Sequence, residues 1–67
     1  MNQYIKQAGN IAEDLNTGNP INWNELDKIF NKYGKEKTLT ILNNEYKGAN
    51  NIYKSHLDLA VTAINKN

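Results

Sequence analysis

Apolar side chains recur along this chain at three- and four-residue intervals, in four blocks punctuated by glycine, proline and asparagine. The first block places Tyr4, Ile5, Ala8, Ile11, Ala12 and Leu15 on the stripe of an amphipathic helix. Asn2 is positioned to cap it, and Gly18 offers a left-handed residue beyond its end. Gly9 interrupts the stripe at a cost of about 1 kcal/mol relative to alanine. It marks either close packing of another helix or a weak first half.

The segment Thr17-Gly18-Asn19-Pro20-Ile21-Asn22 is the clearest break. Pro20 lacks the amide hydrogen that a helix interior needs, and it pushes Asn19 towards an extended conformation. Asn22-Trp23-Asn24-Glu25 then has the form of a capping box, with Asn22 accepting from the Glu25 amide and Glu25 reaching back. The helix it opens carries Trp23, Leu26, Ile29, Phe30 and Tyr33 on one face. Asn24, Asp27, Lys28, Asn31 and Lys32 occupy the other, and Gly34 closes it.

The third block puts Leu39, Ile41, Leu42 and Tyr46 on one helical face, with Gly48 as the stop. Residues 38–42 also read as a strand, since threonine and isoleucine favour extended structure. No second strand is present to pair with it, and a lone strand is not stable, so helix is the expectation. The fourth block spaces Ile52, Tyr53, Leu57, Ala60, Val61 and Ile64 helically. Asn50 or Asn51 is available as cap, and Lys66 sits at the negative end of the helix dipole. The expected fold is all-α, a compact bundle of three to four short helices in one domain, residues 1–67.

Length limits how that bundle is stabilised. A chain of 67 residues buries only about 60% of its unfolded surface. With no cysteine, neither disulfides nor thiolate zinc sites add to the core, which leaves tight packing or a homodimer. The N-terminal residues lack the charged and apolar regions of a secretory signal, and no apolar run reaches the roughly 18 residues of a membrane span. The expectation is a cytoplasmic protein. All eight basic residues are lysine and thirteen residues are asparagine. That usage follows AT-rich codons and points to a low-GC bacterium, or to a phage or plasmid within one.

Net charge is +1, divided mildly between a first half at −1 and a second at +2. Residues 26–42, an apolar helix ending in Tyr33-Gly34 followed by lysines and a second apolar run, resemble a helix-turn-helix regulator over about twenty residues. A small residue is expected four positions before the turn glycine, and Phe30 stands there; Thr40 takes a position expected to be apolar. Arginine, the commonest reader of guanine, is absent. In this reading Asn43 and Asn44 would contact bases, and Lys35, Lys37 and Lys47 the phosphates. Lys54 is a further phosphate candidate.

Other chemistry has less to build on. His56 and Asp58 lie about 200° apart on a helix, Ser55 points elsewhere, and no nucleophile–base pair forms. His56 is expected to be partly exposed. The acids lack the convergence of an acid–base pair or metal cage, and the chain is short for a small-molecule pocket of roughly 300 Å³. No enzymatic activity, cofactor or metal is expected. Acids interleave with lysines on every helix, which disfavours an anionic membrane surface.

The aromatic residues remain. Trp23, Phe30 and four tyrosines are more than a small core encloses. Tyrosines at a core edge with wet hydroxyls account for part of this, and Trp and Tyr are also enriched in interface hot spots. The expected function is a small protein-binding factor, such as a phage or mobile-element inhibitor of a host or defence protein that acts by occlusion. Trp23, Phe30 and Tyr33 of the second helix, or Tyr46 and Tyr53 of the later ones, would bury against the partner while Lys35 and Lys37 steer encounter. A DNA-binding regulator and a self-assembling structural subunit are the alternatives.

Overall fold

The computed structural model describes residues 1–15, 18 and 20–67. Four helices follow in order: α1 (Gln3–Asp14), α2 (Trp23–Tyr33), α3 (Lys35–Lys47) and α4 (Asn51–Asn65). The expected extended conformation of Asn19 lies outside the described residues. No strand forms among the described residues, and residues 38–42 lie within α3. The threonines tolerate this because their hydroxyls bond back along the helix, Thr38 Oγ1 to the Gly34 carbonyl at 2.7 Å and Thr40 Oγ1 to the Glu36 carbonyl at 3.0 Å.

Asparagine begins three of the four helices. Asn2 accepts from the amides of Tyr4 and Ile5, Asn22 from that of Glu25 at 3.1 Å, and Asn50 from that of Tyr53 at 2.8 Å. Each satisfies amide donors that a helix start leaves without a partner. The helix α3 starts differently. Gly34 alone separates it from α2, donating to the Phe30 carbonyl and accepting from the Thr38 amide. Its φ of 84° and ψ of −178° belong to a region that is essentially glycine-only. Gly18, at φ 81°, is also left-handed, whereas Gly48 ends α3 with ordinary negative φ.

The helices α1 and α4 pack antiparallel. Asn2 Nδ2 bonds Asn67 Oδ1 at one end, and Leu15 and Ile52 border one depression at the other. Small residues meet along the seam, with Ala8, Ala12, Ala60 and Ala63 all buried. Ile5, Leu57 and Ile64 fill the centre, and Trp23, Leu26 and Leu42 reach it from α2 and α3. Gly9 has a packing role. A Cβ built there would stand 3.2 Å from Trp23 Cγ, so the indole lies on the bare backbone of α1.

Several stripe positions are rotated from the sequence expectation. Ile11, Leu15 and Ile52 are exposed, and the buried face of α4 runs through His56, Leu57, Ala60, Ala63 and Ile64. In α3 the buried positions are Thr38 and Leu42, with Leu39 and Ile41 half-buried and Tyr46 at the exposed edge. His56 corrects the expectation of partial exposure, for it is 0% exposed. Its Nδ1 lies 2.9 Å from the Ile52 carbonyl, which requires the proton on Nδ1 and leaves Nε2 buried without a hydrogen-bond partner.

Candidate functional site

The helix α2 rises out of the core along its length. Trp23 and Leu26 are buried, Ile29 and Phe30 half-buried, and Tyr33 is 50% exposed. Trp23 therefore corrects the sequence expectation of a partner anchor. At 7% exposure, seated on Gly9, it is part of the core. The first turn of a helix is often open on one side; here α1 covers it.

Tyr33 stands at the Gly34 corner with two lysines over its ring, Lys32 Nζ at 5.2 Å and Lys37 Nζ at 5.9 Å from the centroid. Both distances lie within the range of cation–π attraction. An aromatic face held between ammonium groups can bury against an apolar depression while the ammonium groups meet carboxylates. Lys35 is exposed on the same corner.

Tyr46 and Tyr53 lie further along, on α3 and α4. Tyr46 carries Lys54 Nζ at 5.3 Å. Tyr53 is half-buried, and its phenol is pushed above its ordinary value by burial, then by the charge of Glu45 and hydrogen bonding to that side chain. The structure thus brings Tyr33, Lys35 and Lys37 to one corner and Tyr46 and Tyr53 to another part of the surface. Phe30 is half-buried, packed against the core.

Tyr53 borders an open apolar groove of about 200 Å³. Leu26 and Ile29 of α2, Ile41 and Leu42 of α3, and Leu57 of α4 contribute to it, and Glu25 and Glu45 lie at its edge. Sequence reasoning did not bring Glu25, Ile29, Ile41 and Glu45 together as the lining of one groove because it weighed aromatic type over position. The signal was available in the spacing. Residues 25, 29 and 33 share one face of α2, and 37, 41 and 45 share one face of α3.

Of the residues assigned to DNA in the alternative reading, Lys35, Lys37, Asn43, Asn44 and Lys47 are exposed on α3, whereas Lys54 is half-buried on α4. Lys37, Asn44 and Lys47 are spaced to share a face with Thr40, and Asn43 lies beside them. The α2–α3 connection departs from the motif they resemble, which has a turn of about three to four residues. Here one residue intervenes. Among the described residues, no group of three His, Cys, Asp or Glu side chains gathers as a metal site, and no helix is long and apolar enough to cross a membrane. Compared with protein-family models, curated proteins and solved structures, the chain matches none.

Proposed function

We propose that this chain is a small, non-enzymatic protein-binding factor that acts by occluding a surface of its partner with the α2–α3 face. The observation that carries this is Tyr33, half-exposed between Lys32 and Lys37 at the tip of a one-residue corner. A tyrosine in that setting offers a large contact area at small entropic cost, and the lysines favour a partner with an acidic rim around an apolar pocket. An inhibitor of a host or defence protein, encoded by a phage or mobile element, fits the size and the lysine- and asparagine-rich composition.

The test is capture of partners by wild type and two variants. Tyr33→Ala loses more than about 1 kcal/mol of affinity for the captured protein if Tyr33 is a hot spot. Ile52→Asp, on the α1–α4 side, retains it. A partner held equally by the Tyr33 variant and lost by the Ile52 variant overturns this face as the contact.

DNA binding is the second reading, favoured by the exposed Lys37, Asn44 and Lys47 face of α3. Titration of labelled duplex DNA at two salt concentrations separates the two. Micromolar binding that weakens along a log–log salt slope indicates phosphate contacts and promotes the regulator. No binding at low salt removes it.

A further inference from the structure

The two stripes that flank the groove have mirrored chemistry. Along α2 the order is Glu25, Ile29, Tyr33; along α3, running back from Gly34, it is Lys37, Ile41, Glu45. Each step is four residues, or about 6 Å of helix. The face is therefore basic and aromatic at the Gly34 corner, apolar at Ile29 and Ile41, and acidic at the far end where Glu25 and Glu45 edge the groove. The corner projects a half-exposed tyrosine, and the acidic end is hollow.

A surface with a knob at one end and a matching hole at the other is complementary to its own copy. A twofold axis through the midpoint exchanges the ends, and this geometry defines an isologous interface. We infer that the α2–α3 face joins two copies of this chain about a twofold axis near Ile29 and Ile41, with Tyr33 of each copy entering the groove of the other. Lys32 and Lys37 then meet Glu25 and Glu45 of the second copy, and the half-buried isoleucines meet at the axis. A stable interface takes roughly 800 Å² per partner, from a protomer of 4416 Å² whose broad extents are 29 by 25 Å.

The α1–α4 side offers a second candidate surface through Ile11, Leu15 and Ile52, all about half-exposed. Its exposed apolar positions lack this paired arrangement of opposite charges. Charge complementarity favours the α2–α3 face. Self-association would also compete with the partner contact proposed above, since both use Tyr33. The dimer stands on its own charge pattern, and its failure leaves the partner assay to decide the other reading.

The experiment is mass measurement across concentration by sedimentation equilibrium. Wild type is expected to move from 7.6 kDa towards twice that value as concentration rises, and back as salt is added. Two charge-reversed chains sharpen this, one carrying Glu25→Lys with Glu45→Lys and the other Lys32→Glu with Lys37→Glu. Each alone places like charges across the interface and weakens self-association by at least about tenfold. Their equimolar mixture places Lys against Glu at both ends and restores the two-chain species. All four positions are exposed, and circular dichroism verifies that each variant remains helical. A wild type that stays at one protomer mass to millimolar concentration overturns the inference. So does a mixture that fails to re-form the dimer, an Ile52→Asp variant that alone abolishes it, or a wild-type mass well above two protomers, which would indicate open chains.

Discussion

Where α1 meets α4 the facing side chains are alanines and aliphatics, and they disappear almost entirely from solvent. Ile5, Ala12, Ala60 and Ile64 are each 0% exposed. Where α2 meets α3 the side chains are larger and remain partly accessible, as at Ile29, Phe30, Leu39 and Ile41. Small residues let two helices approach and close a seam. Large ones beside a single-residue corner hold the pair partly open and leave a groove. A chain of 67 residues cannot bury everything. Here the α1–α4 seam closes fully, and the α2–α3 pair, buried at Trp23, Leu26, Thr38 and Leu42, keeps chemically varied side chains on its outer side.

The contrast can be broken most directly through the two aromatic residues that bound α2. Trp23→Ala empties the space over Gly9 and is expected to cost about 3–5 kcal/mol. Tyr33→Ala, measured in dilute protein where chains are separate, stays within about 0.5 kcal/mol. Urea titration checks both, and comparable losses would erase the distinction between a closed half and an open one.

Gly34→Ala comes next in size. Nothing lies within 4 Å of the added Cβ, so any loss measures backbone strain alone. A residue with a side chain is expected to cost about 1–3 kcal/mol at this φ and ψ. Gly48→Ala, where φ is negative and space is also open, is the matched control and should cost far less. Equal effects at the two glycines would mean that the corner does not depend on glycine.

His56→Leu probes the closed half from the other direction. It removes a buried nitrogen that lacks a partner, at a position with 0% exposure. Stability is expected to be unchanged or to rise by up to about 1 kcal/mol, read as a higher thermal midpoint. A loss of several kcal/mol would show that the imidazole shape is itself part of the packing.

The smallest effect is in alkali. The Tyr53 phenol is raised in the fold by burial and by Glu45, so the folded chain holds this proton more tightly than the unfolded chain. Its contribution to stability is complete below the ordinary tyrosine value near 10 and declines as pH rises through the raised folded value. Ultraviolet titration should find Tyr53 ionising above that ordinary value, and Glu45→Gln should bring it down. No change in that variant would assign the whole rise to burial.

The four helices were legible in the sequence because asparagine caps, glycine stops and Pro20 mark their ends, and these are local signals. Asn2, Asn22 and Asn50 cap as their positions imply. Which side of each helix faces inward was less legible. Periodicity placed Ile11, Leu15 and Ile52 on stripes, but the stripes are wider than the seam, and alanine contact decided which edge is buried. Thr38 and His56 read as polar, yet each finds a carbonyl four residues earlier in the chain and so enters the core. Trp23 was misplaced for a related reason. Its burial depends on Gly9, fourteen residues earlier in the chain, and no local pattern links the two.

The bond between Asn2 and Asn67 has a topological consequence. It brings the first and last helices' outer ends together, and the Asn2 amide also reaches Asp27 Oδ1 at 2.9 Å. Asp27 lies about 200° around α2 from Glu25, on the side away from the Glu25–Ile29–Tyr33 stripe. A short linker joining the two ends would turn the chain into a ring, and cutting that ring at Gly48 would place α4 before α1 without changing a contact between them. Labels or fused domains attached at either end would likewise emerge together, behind α2, leaving the grooved face open to whatever approaches it.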